Sequence, residues 1–130
     1  MSEKIIQNWY SLAKYDLESA EMMLKSGRYL YVAFLCQQTI EKTLKGLFVK
    51  ETLQTPPYTH NLRRLAKQLS FYENLDQEQL DRLDRLNVYY IESRYTETLE
   101  EMKKAIGSDE AHKILKECRE MIKWLEAYKK

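Results

Sequence analysis

Residues that interrupt regular structure are nearly missing from this 130-residue chain, which has three glycines and two prolines. That scarcity argues against a many-turned β architecture. Leu, Glu, Lys, Ala, Met, Arg and Gln make up much of the remainder, a composition that sustains long helices. No apolar run approaches the roughly 18 residues of a membrane helix. The opening Met-Ser-Glu-Lys leads into an amphipathic segment rather than a signal peptide, so a cytoplasmic location is expected. The only two cysteines, Cys36 and Cys118, fall at helical core positions, where they read as small buried hydrophobes rather than a disulfide or metal pair. A dominant charge sign is missing too. With 21 basic and 20 acidic side chains the formal charge is +1, so no global field draws nucleic acid or an acidic membrane, and any anion site has to be local. At this length residues 1–130 make one domain that can bury a core without staples.

What is present is helical periodicity. Across residues 3–26, Ile5, Trp9, Leu12, Ala13, Leu17, Ala20, Met23 and Leu24 recur at spacings of three and four, and Gly27 supplies a left-handed stop. Residues 29–51 repeat the pattern through Leu30, Ala33, Phe34, Ile40, Leu44, Leu47 and Phe48, until Thr55-Pro56-Pro57 forbids continuation. The short turn between these helices predicts antiparallel packing. Thr59 is the expected N-cap of a shorter helix with Leu62, Leu65, Ala66 and Leu69 inward and His60 in its first turn. Asp76 caps the next, whose inward residues are Leu80, Leu83, Leu86, Tyr90 and Ile91, running to Arg94 or Tyr95. Over residues 96–107 the pair Thr98 and Glu101 has capping-box spacing, which predicts a helical turn or two before Gly107. Ser108 or Asp109 opens the last helix, with Ala111, Ile114, Leu115, Cys118, Ile122, Leu125 and Tyr128 inward. The predicted fold is all-α, an antiparallel up-and-down bundle of four long helices plus one shorter helix.

Stepping about 100° per residue finds polar groups where hydrophobes belong. Asp16 falls inside the apolar arc of the first helix. Gln37 and Glu41 lie at the centre of the second helix's stripe with Lys45 at its edge, while Gln38 and Lys42 turn outward. Arg94 lines up with Leu80 and Leu83 if the fourth helix reaches it. Buried charges have to pair or face a cleft. Asp16, Glu41, Lys45 and Arg94 therefore form either an internal network that sets helix register or the lining of a pocket in which Arg94 meets a phosphate. His60 at a helix start, with Arg63 and Arg64 behind it, offers amide donors, an imidazole and two cations to an anion; the alternative is an ordinary cap flanked by solvated charge. Asp109 and His112 share a helix face but lack a third ligand, so no metal is expected. Nucleophilic-serine motifs and glycine-rich phosphate loops are absent. Among ten tyrosines, Tyr29, Tyr31, Tyr58 and Tyr89 lie off or at the edge of the stripes, either as residues of a subunit contact or as ordinary scattered exposed aromatics.

Four stretches taken together, Trp9…Ala13-x-x-Asp16-Leu17-x-x-Ala20, Gln37-Gln38-x-x-Glu41-Lys42-x-x-Lys45-Gly46, Thr59-His60-Asn61-Leu62 and Arg94-Tyr95, resemble the HEPN (higher eukaryotes and prokaryotes nucleotide-binding) domain family. The resemblance spans nearly the whole chain. It implies a four- or five-helix bundle, commonly homodimeric, often encoded beside a minimal nucleotidyltransferase partner. Other branches are metal-independent ribonucleases, including toxins of toxin-antitoxin pairs, in which an Arg is followed, after four to six intervening residues, by a His. Here Leu99, Glu100 and Glu101 stand where that His belongs. The expected function is thus a nucleotide- or nucleic-acid-phosphate-binding module without a cofactor. In it Arg94 is the phosphate ligand, Lys45, His60 and Arg63 are auxiliary contacts, and Asp16, Gln37 and Glu41 orient the basic groups. The alternatives are a divergent ribonuclease toxin and a purely structural partner-binding bundle.

Overall fold

The structure, a computed structural model, describes residues 2–90 and 98–130. Its helices are α1 (Ser2–Lys25), α2 (Tyr29–Thr52), α3 (Leu62–Lys67), α4 (Gln77–Asn87), α5 (Leu99–Ala105) and α6 (Ser108–Leu125), with 3₁₀ turns at Ser70–Asn74 and Glu126–Tyr128. No strand occurs among the described residues, and none of these helices is long and apolar enough to cross a membrane. The all-α expectation holds.

Local chemistry accounts for most boundaries. After α1 the Arg28 amide donates to the Met23 carbonyl at 2.9 Å and the Gly27 amide to that of Leu24 at 3.2 Å. This double closure needs a left-handed residue, and Gly27 takes it at φ 75°. The Asp76 carboxylate accepts from the Gln79 amide at 2.8 Å while the Gln79 side chain accepts from the Asp76 amide at 2.9 Å, and Thr98 with Glu101 makes the same reciprocal box. Two expectations shift. The N-cap of α3 is Asn61, whose side chain accepts from the Arg64 amide at 3.0 Å, and the Thr59 hydroxyl instead accepts from the Asn61 amide one turn earlier. The helix therefore starts later, and His60 precedes it. α4 ends at Asn87, where i to i+3 bonds from Tyr89 and Tyr90 tighten the chain. Ile91 and Arg94 lie outside the described residues.

α2 is the central rod. Of its 24 residues 14 are buried, because α1, α3, α4, α5 and α6 all pack against it. α6 runs parallel to α2, with Cys118 against Cys36 at one end and Lys50 donating to the Tyr128 carbonyl at the other. It is antiparallel to α1, as Arg119 pairs with Glu21 and Lys129 lies over the Tyr10 ring. The polar Thr39 and Thr43 are tolerated inside because each hydroxyl donates to a carbonyl four residues back, at 2.8 and 2.9 Å. Both cysteines are buried free thiols, and contact with Cys36 together with burial pushes the Cys118 thiol up.

On α1 the buried line is Ile6, Ala13 and Ala20, seven residues apart, rather than the wider stripe expected. Small side chains let α1 approach α2 closely, which rotates Ile5 and Leu12 outward to 50 % and 39 % exposure. The approach is tightest at Gly46, where a Cβ would stand 2.5 and 2.8 Å from Tyr10 ring carbons and 3.1 Å from Trp9 Cβ. Tyr10 packs on the core beneath Lys129, so a displaced ring would disturb both contacts. Gly46→Ala is expected to destabilise the domain by about 1–3 kcal/mol through overpacking, despite the better helix propensity of alanine. Urea unfolding followed by circular dichroism measures this, and an unchanged midpoint would contradict the close packing.

Candidate functional site

Gln37, Glu41 and Lys45 succeed one another at every fourth position of α2 and share one edge of it. Glu41 is the hub. Its carboxylate accepts from Gln37 Nε2 at 3.2 Å and from Lys45 Nζ at 3.1 Å. From the loop ahead of α3, His60 brings Nδ1 to 2.9 and 3.1 Å from the two carboxylate oxygens. An ionised carboxylate only accepts, so Nδ1 carries the hydrogen and Nε2 is left for other partners. Gln37 Nε2 also donates to the His60 carbonyl at 2.8 Å, and Gln38 Nε2 donates to Gln37 Oε1 at 2.8 Å. Both the ring and the backbone of His60 are therefore tied to α2.

The loop is secured at its far end as well. Asn87, the last residue of α4, accepts from the Leu62 amide at 2.7 Å and donates to Asn61 Oδ1 at 2.9 Å. The His60 ring stacks on Tyr90, centroids 3.9 Å apart and planes 13° from parallel, with Phe34 tilted against Tyr90 at 6.0 Å and Tyr58 edge-on to His60 at 5.9 Å. Lys45 Nζ lies 5.8 Å from the Trp9 ring centroid. Side-chain exposure divides the cluster. Glu41 and Lys45 are 5 % and 9 % exposed, whereas His60 is 32 % exposed. Of these three, His60 is the group a ligand can reach.

The other sequence-derived candidates sit elsewhere. Asp16 pairs with Lys42 across the α1–α2 seam at 2.5 Å. Lys42 thus does not simply turn outward as its helical position suggested; its long side chain reaches sideways to the carboxylate on the neighbouring helix. Arg63 is engaged by Asp84 at 2.7 Å and by the Tyr72 hydroxyl at 3.3 Å, an attachment of α3 to α4 and the 3₁₀ turn. Its pairing with Tyr72 and Asp84 pushes the guanidinium up. The start of α3 does not offer the donor set expected of it, since the Leu62 and Arg64 amides already donate to Asn87 and Asn61. Arg94 lies outside the described residues. Tyr90, taken from its spacing for a core residue, is half-buried against His60; only the loop path reveals that.

The family model for the HEPN domain matches residues 6–128. The chain belongs to the HEPN domain family. Two solved structures share the fold of this HEPN domain. One is TT1696 from Thermus thermophilus, with a TM-score of 0.81 and 22 % identity over 95 % of this chain and 97 % of that one. The other is ST0689, an archaeal HEPN homologue, with a TM-score of 0.77 and 24 % identity over 96 % and 98 %. No protein of curated function matches the sequence. At such identities the likeness is one of fold, and the site has to be argued from its own residues.

Removing the hub should be costly. Glu41→Ala leaves the Lys45 ammonium and the Gln37 amide buried without their acceptor, and a loss of about 3 kcal/mol is expected. Denaturant unfolding measures it. A loss within about 0.5 kcal/mol, the size typical of an isolated surface pair, would show that the cluster does not hold the fold together.

Proposed function

We propose that this HEPN domain binds the phosphate of a nucleotide or nucleic acid. The observation that carries the reading is His60, a partly exposed imidazole fixed by a buried carboxylate at 2.9 Å. When protonated, the ring presents an Nε2–H donor and a positive charge while Glu41 offsets the charge from behind. Arg94, four residues beyond Tyr90 in sequence, is the second phosphate ligand in this proposal. Lys45 and Gln37 keep Glu41 and His60 in place. Isothermal titration with nucleoside monophosphates and short single-stranded RNA should show binding that weakens at least tenfold in His60→Ala and in Arg94→Ala, with helical circular dichroism retained. Unaltered affinity in both variants would sink the assignment.

The Glu41–His60 pair also supports a second reading, a metal-independent ribonuclease. With Nδ1–H held by Glu41, a neutral His60 has its lone pair at Nε2, where it can take the 2′-hydroxyl proton, and Arg94 would stabilise the phosphorane. Incubating RNA with the protein in excess chelator separates the two readings. Cleavage abolished by His60→Ala selects the enzyme, and intact RNA selects the binding module.

In the binding reading the domain works as a homodimer beside a nucleotidyltransferase partner, as its family resemblance implies, including the toxin-antitoxin form of that pairing. Support for the dimer comes from α1, where Ile5 and Leu12 stand exposed beside Trp9. Leu12→Glu should shift the sedimentation-equilibrium mass from dimer to monomer, and a monomeric wild type would remove the proposal.

A further inference from the structure

Tyr58 is 96 % exposed, the most exposed of the large apolar side chains among the described residues, and buries almost none of its ring. Yet its backbone is not loose. Pro56 and Pro57 restrict the chain before it, and the Thr59 amide donates to the Pro57 carbonyl at 2.9 Å, closing a three-residue turn centred on Tyr58. The Thr59 hydroxyl accepts from the Asn61 amide at 3.2 Å, and Asn61 caps α3. The loop is thus pinned on both sides of a ring that contributes little to the core. Side-chain entropy is lost in small amount, since a tyrosine has two rotatable angles. Its neighbour is the partly exposed imidazole of the polar cluster, with the His60 centroid 5.9 Å away and the rings at 66°.

We infer that Tyr58 is a base-stacking platform, so that the ligand at His60 is a nucleotide or single-stranded nucleic acid recognised through its base as well as its phosphate. The inference rests on the phosphate-binding reading above and adds the residue that recognises the base. A phosphate at the exposed His60 edge leaves the attached base within reach of the Tyr58 ring, whose two faces are open. Every base has a π face, so such contact tolerates any sequence and requires single-stranded or free nucleotide, because paired bases are already stacked. The His60–Tyr90 stack cannot serve in the same way on its inner side, as the two rings already cover each other at 3.9 Å.

Isothermal titration with adenosine 5′-monophosphate, uridine 5′-monophosphate and ribose 5-phosphate, the last lacking a base, tests this. The wild type should bind both nucleotides about tenfold or more tightly than ribose 5-phosphate, the scale of one base–aromatic stack. Tyr58→Ala should lower nucleotide affinity to that of ribose 5-phosphate and leave ribose 5-phosphate binding unchanged, while Tyr58→Trp keeps the preference. A preference retained in Tyr58→Ala, or no preference in the wild type, overturns the platform and leaves the phosphate site standing. Failure of the wild type to bind any of the three overturns both.

Discussion

Taking the Glu41 carboxylate out of water costs several kcal/mol unless its lone pairs are filled, and much of the structure around α2 exists to fill them. Lys45 supplies charge from one turn below, Gln37 an amide from one turn above, and His60 a ring N–H from a different segment. The first two are available to any helix with this spacing. The third is not, and it obliges the loop after α2 to return across the helix it has just left. The position of α3, the Asn61–Asn87 contact and the docking of Tyr90 all accompany that return.

The same constraint separates structural from functional duty within one cluster. A carboxylate that accepts from three partners is fully engaged and holds its donors in a single arrangement. His60 combines two bonds to the Glu41 carboxylate with an edge in solvent, so its ring is oriented before any ligand arrives, and pre-organisation of this kind reduces the entropy lost on binding. Asp16 with Lys42 and Arg63 with Asp84 are instead ion pairs between neighbouring helices, partly open to water and modest in energy. They set how helices meet, whereas Glu41 sets what the protein presents.

Packing of α1 shows how a single small residue governs a seam. Gly46 admits the Tyr10 ring where any Cβ would collide, and the buried phenol, pushed up to about 12 by burial with Glu3 and Glu126 nearby, stays protonated at neutral pH. Its hydroxyl has no hydrogen-bond partner among the described residues. The close fit has a second consequence. Drawing Ala13 and Ala20 against α2 turns Ile5 and Leu12 away from the core, and an apolar edge that the periodicity assigned to the interior faces outward.

Periodicity and capping chemistry by themselves determined that the chain is all-α, where α1 and α2 turn, how α4 and α5 begin, and that Gln37 and Glu41 face inward. Those features depend on residues within a turn or two of each other, whose relative directions helical geometry dictates. The missing histidine after Arg94 was legible in the same way. Tertiary structure alone decided that His60 meets Glu41, that Lys42 bends to Asp16, that Arg63 is spent on Asp84, and that Tyr90 covers a histidine. Each joins residues at least 19 positions apart, and the path of a loop carries no periodic signal from which such a meeting follows. A central helix enclosed on most sides hides its special face as well. Nearly every direction around α2 is buried, so only the neighbours that arrive there distinguish a core position from a site.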